Sequence, residues 1–470
     1  MKALSVNSRA DHSEQKPHIE ELYRTAVSIV LQVFQSPYAA PLKALELEVP
    51  LMARLKMSSP SLQSPILEAI LAALKLRLLS PPLQQPPSGY QRKQSRDVGA
   101  PSRLSLIMEK PVNEEPSSPI PPPPQLVECL RAGFASPSSR LVLDDWVKFL
   151  AEVLPLFADA IFQNLIPLVE CFCAQIDQVF EQLRSTFKQP VGDVQISPES
   201  TLISLINGLE QILAKAHDRL VLQETRTATA KSPEQPQGFF GNMVSGVFSS
   251  EINQTRTPTA NSRLTVLLCF QDTVRICFSI WSWDGYGSNS SKPDPTSLAS
   301  FGYTSLRMRN RARRILEHLF AAEALECLET LAVLWCQSSR TDSRATSVMS
   351  LLNVLNGSKP KHTIPAIFNA VYSRTNPNAL DPMRMSTLTS DLSDTDLVSF
   401  LVDYTKSLED DAMDEIWPDC MIFLRDVLAN PLPHRQILPT LLEFTAVLGQ
   451  KVDNTNFGEQ RKMRRELGVC

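Results

Sequence analysis

Apolar residues in this chain recur at the spacing of an α-helix and almost nowhere alternate as a half-buried strand requires. Ile66, Ile70, Leu74 and Leu78 stand four apart, with Leu67 and Leu71 beside them. Leu143, Trp146, Val147, Leu150, Val153 and Leu154 follow a 3-4-3 rhythm. Ile161, Leu165, Leu168, Val169, Phe172, Ile176, Val179, Phe180 and Leu183 carry a longer stripe, and Leu202, Leu205, Ile206, Leu209, Ile212, Leu213 and Ala216 mark another. Each stripe is one buried face of a helix. The spacing predicts helices over 18–35, 41–56, 61–79, 263–283, 305–337, 343–356, 363–374, 393–406, 410–429, 433–449 and 456–467. Pro155 is expected to open the helix of the longer stripe, and Pro167 to kink it or split it in two. Ser197 reads as an N-cap with Pro198 at the first helical position. Ser393, with Asp396 three residues on, resembles a capping box.

Composition agrees. The 470 residues hold only 15 glycines, about 3% against roughly 7% in average proteins. Few glycines means few backbone cradles for phosphate, which argues against nucleotide-binding α/β folds. The 36 prolines suit helices joined by proline-bearing connectors. A formal charge of -4 supplies no global basic field for nucleic acid. Between Ser80 and Pro124 there are 12 prolines in 45 residues, a stretch that keeps no helical or sheet ladder. It reads as a disordered spacer, or as a polyproline ligand for an aromatic groove.

These signals define an all-α chain: a helical segment 1–79, a Pro-rich disordered linker 80–124, a helical domain 125–224, a second linker 225–262, and a C-terminal helical-repeat domain 263–470. Helices pair at roughly 40-residue intervals, near the period of HEAT and armadillo repeats. An α-solenoid-like array of helix pairs with two long disordered linkers is expected, with a compact bundle as the alternative.

The first 16 residues lack the apolar centre of a secretory signal. The most apolar stretch, 264–283, is interrupted by Gln271, Asp272 and Arg275 and reads as a buried core helix rather than a membrane span. Nine cysteines without framework spacing point to reduced, buried thiols in the cytosol. Cys171 and Cys173 lack the two-residue gap of a zinc or redox motif and are read as core. His217 and His318, flanked by charges, are read as surface residues. No two of the six histidines pair as ligands on one helix, and the nucleophile-elbow, P-loop and dinucleotide motifs are missing. No metal, cofactor or catalytic residue is expected.

Three features invite partners. Arg307, Arg309, Arg311, Arg313 and Arg314 form a basic helix start, and Arg461, Lys462, Arg464 and Arg465 a second patch. Either meets anionic lipid headgroups or is simply a solvated face. The acidic run Glu409–Glu415 is accounted for by the helix dipole. The third feature is GFFGNMVSGVFSS, residues 238–250. On a helix, Phe239, Phe240, Met243, Val244, Val247 and Phe248 share one face opposite small uncharged residues, as in segments that sense lipid-packing defects. Membrane contact, docking on a partner, and folding back onto the array all remain open for it.

The stretch Leu141-Val142-Leu143-Asp144-Asp145-Trp146 running to Asp159, the GFFGNMVSGVFSSE segment, and NTNFGEQRKMRREL at 454–467 together resemble the Dopey family, most closely its fungal branch. The resemblance covers roughly 140–285 and 390–470, and the GFFG…SGVF segment is its most specific part. It implies a non-enzymatic helical-repeat scaffold, cytoplasmic and peripheral on Golgi and endosomal membranes, acting in transport between endosomes and Golgi. It also implies two partners, a large Sec7-related Golgi scaffold and a P4-type lipid flippase. Family members are several times longer, so an interior piece is expected. A soluble helical-repeat adaptor without membrane contact is the alternative function.

Overall fold

The structure is a computed structural model and describes residues 7–56, 58–78, 121–187, 198–230, 258–283, 295–338, 343–381, 384–454 and 460–469. Among them are fifteen α-helices and six short 3-10 turns, and no strand. The array is all-α and solenoid-like, with helices packed in pairs. Residues 80–120 of the Pro-rich linker and the loop at 284–294 lie outside the described residues, while Pro124, expected to end the linker, already begins a helix. Prolines open many helices: Pro60, Pro124, Pro198, Pro258, Pro295 and Pro360 each stand at the first helical position. There the missing N–H costs nothing and the fixed φ is already helical.

Two compact units are present, one of Met1–Leu126 with Pro155–Ala160, the other of Val127–Leu154 with Ile161–Cys470. In the first, α1 (Asn7–Phe34) and α2 (Glu48–Leu55) pack on α3 (Pro60–Arg77). Phe34, Ala39, Ala73 and Leu76 form a core patched by Val30, Leu42, Leu47 and Leu51. The helix expected over 41–56 is instead a 3-10 turn, Ala40–Leu45, followed by α2, with Glu46 left-handed at φ 44° between them. Pro50 explains the break. In a continuous helix its ring would strike the carbonyl of residue 46, where the break falls. In α2 it stands in the first turn, which needs no such bond. Arg77 donates to the nearly buried Glu48 at 2.7 Å and ties α3 to α2.

The second unit begins with α4 (Pro124–Ala135, from residue 127 onward), α5 (Leu143–Val153) and α6 (Ile161–Thr186). All nine stripe residues of α6 are buried. Pro155 opens a 3-10 turn, Leu154–Ala160, rather than α6 itself. Pro167 does not split α6, which runs through it. It forfeits one ladder bond while Leu165, Leu168 and Val169 around it are fully buried. Then come α7 (Pro198–Ala230), α8 (Pro258–Trp281) and α9 (Pro295–Gln337). Both α7 and α8 extend into the expected second linker, whose remainder, 231–257, lies outside the described residues, as does Ser197. Two glycines set close approaches. A Cβ on Gly133 would overlap the Trp146 indole, and one on Gly208 would stand 2.7 Å from the Phe172 ring.

Helix α8 is packed by α6, α7 and α9. Among the described residues Thr259–Trp281 is one helix long and apolar enough to cross a membrane; Val266, Val274 and Ile280 on it have no exposed surface inside the fold. Trp283 stacks edge-on against Phe180 and Phe301 at 5.4 and 5.2 Å, and its carbonyl accepts from Ser305 Oγ at 2.7 Å. These contacts fix the start of α9 beside the end of α8. Helix α9 begins ten residues earlier than its pattern predicted, and it breaks at Glu323 (φ -146°, ψ 75°). No proline or glycine stands there. The Glu323 carboxylate is instead taken by Arg263 of α8 at 2.8 Å, with His217 of α7 at 3.9 Å. His217 is therefore an inward-facing residue rather than a surface one.

The array continues through α10 (Ser343–Val354), α11 (Pro360–Thr375), α12 (Asp394–Ser407), α13 (Met413–Ala429), α14 (Leu438–Asn454) and α15 (Gln460–Val469). Phe368, Phe423 and Phe444 join α11, α13 and α14, the first two rings stacked at 4.0 Å. Ser393 caps α12 by accepting from the Asp396 N–H at 3.1 Å, and its hydroxyl donates to the Asp396 carboxylate. The expected start of α14 at 433 shifts to Leu438 because Pro431 and Pro433 hold a turn, closed by His434 N–H on the Pro431 carbonyl.

Candidate interaction surface

The five arginines at 307–314 lie on the first half of α9, alongside α7 and α8. Arg307 donates to Glu199 at 2.6 Å. Arg311 donates to Asn207 at 2.8 Å and pairs with Glu210, which His318 also engages. The acids come from α7, so these residues fasten two helices that are about a hundred residues apart in sequence. Arg309 lies 4.7 Å over the Trp281 ring of α8, a cation–π contact. Arg313 pairs within α9 with Glu317 at 2.9 Å. Arg314 is exposed, and Arg307 keeps half its side chain in water. Four of the five thus have partners inside the fold.

The second basic patch differs. Helix α15 buries Met463 and turns Arg461, Lys462, Arg464 and Arg465 outward, with Arg464 held by Asp453 of α14 at 2.6 Å. Glu466 accepts from the Trp417 indole at 2.9 Å and seats the helix on α13. Lys451 of α14 pairs with Asp410 of the acidic run at 3.0 Å. Phe239, Phe240, Met243, Val244, Val247 and Phe248 lie outside the described residues.

Eight cysteines among the described residues are free thiols. Cys129, Cys269, Cys277, Cys327 and Cys420 are buried, Cys171 and Cys173 half-buried, and Cys336 exposed. Burial pushes the Cys173 and Cys269 thiols up to about 12 and Cys336 to about 11. Such thiols stay protonated at neutral pH and are poor nucleophiles. Among the described residues no cluster of His, Cys, Asp and Glu is placed to hold a metal.

Sequence reasoning missed the most concentrated polar site. On the second half of α9, Glu326 and Glu329 are 2% and 1% exposed. Arg374 of α11 meets Glu329 at 2.7 Å, and Gln271 of α8 donates to Glu326 at 3.0 Å. The signal was present, since both glutamates stand among the buried Leu319, Phe320, Cys327, Leu328, Leu331, Ala332 and Trp335.

Fold and surface together define an all-α protein built as an array of paired helices, several of whose seams are fastened by ion pairs. A family model described as DOP1 C-terminal matches residues 400–469, from α12 to the end of α15. Protein dop1 of Emericella nidulans is 53% identical over 412 residues, covering 87% of this chain and 22% of that protein. Protein DOP1 of Saccharomyces cerevisiae is 28% identical over 358 residues, 73% of this chain and 20% of its own length. The chain therefore belongs to the Dopey (DOP1) family. It spans about a fifth of the length of these curated relatives. No solved structure matches it.

Proposed function

We propose that the chain is a non-enzymatic scaffold in protein transport between endosomes and Golgi, cytoplasmic and peripheral on those membranes. Its membership of the Dopey family carries the reading. The helical array and the protonated, unreactive thiols support a scaffold over an enzyme. The Phe239–Phe248 face is the proposed contact with membrane or partner, on the strength of its sequence pattern. Of the five α9 arginines, Arg307 and Arg314 are the two most open to lipid headgroups. A large Sec7-related Golgi scaffold and a P4-type lipid flippase are the proposed partners, on the family resemblance.

Flotation of the purified chain with liposomes of varied curvature tests this, beside a Phe239→Ala/Phe240→Ala/Phe248→Ala variant. Curvature-dependent flotation that the variant loses is the expected result. An intact chain that stays at the bottom of the gradient overturns direct lipid contact and favours the soluble adaptor.

A further inference from the structure

Residues 384–393, between α11 and α12, form a strap over buried polar groups of α8, α9 and α11. At its centre stand Ser386, Thr387, Leu388, Thr389 and Ser390, four hydroxyls around one leucine. Beneath lie the carboxylates of Glu326 and Glu329. Glu329 has Arg374 for a counter-charge. Glu326 is held by neutral donors: Gln271, the Thr387 N–H at 3.1 Å and the Thr387 hydroxyl. Two of those three donors come from the strap. Ser390 donates to Glu329 at 3.1 Å and accepts from Arg374 at 3.0 Å, while Thr389 accepts from Gln271 at 2.7 Å.

Between these anchors Leu388 is left-handed at φ 56°, a conformation unfavourable for a leucine. The residue is 52% exposed, so little burial offsets the strain. The hydroxyl–carboxylate bonds on either side therefore keep the strap in place. An element held against strain by a few hydrogen bonds has an open state within reach.

We infer that Thr387 is a phosphorylation site for an arginine-directed serine/threonine kinase, and that its phosphate holds the strap off Glu326 and Glu329. Arg384 is exposed three residues before Thr387 and Leu388 follows it, the arrangement that an acidic kinase groove reads. In the open state the Thr387 oxygen attacks the γ-phosphorus of Mg·ATP. The new O–P bond forms as the β–γ bridge breaks, ADP leaves, and the hydroxyl proton passes to the base of the kinase. The product has replaced a donor with a dianion. Beside two buried carboxylates it meets repulsion where a hydrogen bond stood, so the strap does not reclose. This inference stands apart from the membrane reading, since it uses neither the Phe239–Phe248 face nor the α9 arginines.

The test incubates the full chain with the catalytic subunit of cyclic-AMP-dependent protein kinase and Mg·ATP. Tandem mass spectrometry locates the phosphate, and hydrogen exchange follows residues 386–390. Phosphate at Thr387 is expected, lost in Thr387→Val and strongly reduced in Arg384→Ala, a surface change that leaves the fold intact. Exchange of the strap amides should rise about tenfold or more on modification, as like charges displace the closed state. Absence of phosphate at Thr387 overturns the site. Phosphate there with unchanged exchange overturns the release.

Discussion

The two halves of α9 carry similar charges to opposite ends. Ahead of the break at Glu323, Arg307 reaches Glu199 of α7 with 52% of its side chain exposed, and one turn on Arg311 meets Glu210 at a drier point of the same seam. Beyond the break, the Arg374–Glu329 pair has side chains only 6% and 2% exposed. A wet pair gains little, because water solvates each ion almost as well as its partner does. A dry pair is costly to assemble and far costlier to halve, because the survivor keeps its charge without solvent. The number of ion pairs thus says little about where this array is vulnerable, and their burial says most of it.

Substitutions should reproduce that ranking. Arg374→Met strands Glu329 and should cost about 3–5 kcal/mol in urea unfolding, with Arg374→Met/Glu329→Leu recovering part of the loss. If the single change proves nearly silent, the contrast between the two halves is broken. Ahead of the break, Arg311→Gln, at a pair whose side chains are only 14% and 21% exposed, should cost about 2 kcal/mol, and Arg307→Gln roughly 0.5 kcal/mol or less, with salt shrinking the Arg307 effect. The smallest effect concerns His434, buried against Tyr372 with its Nδ1 unpartnered. Burial lowers its pKa, so the fold prefers the neutral ring. That stability is complete above the unfolded value of about 6.5 and is lost as pH falls from there towards the folded pKa. Unfolding midpoints measured from about pH 7.5 down to 5.5 should fall less steeply in His434→Phe than in the parent chain.

The stripes of α5, α6 and α7 were legible because burial in a helix repeats every three or four residues, and the sequence shows that period directly. The Ser393 cap was legible for the same reason, being a local pattern. Pro50 was overlooked as a breaker because the apolar spacing continues across it. The grip of Glu199 and Glu210 on α9 spans about a hundred residues, and no local pattern reports such a pairing. The strap was hidden differently. Its hydroxyls have no period, and their role depends on two glutamates about sixty residues earlier. The Phe239–Phe248 pattern was the most distinctive sequence signal, and it lies outside the described residues.

Scarce glycine, finally, bears on how the molecule tolerates variation. Gly302 and Gly468 face open space, and other residues should be accepted there in any library. At Gly133 and Gly208 one added methyl group collides with the ring of Trp146 or of Phe172, both buried. Neighbouring helices could accept the intruder only by moving apart, which would loosen every contact along their length. Two positions with no side chain at all thus set how closely the helices of this unit approach, and selection has the least room to manoeuvre there.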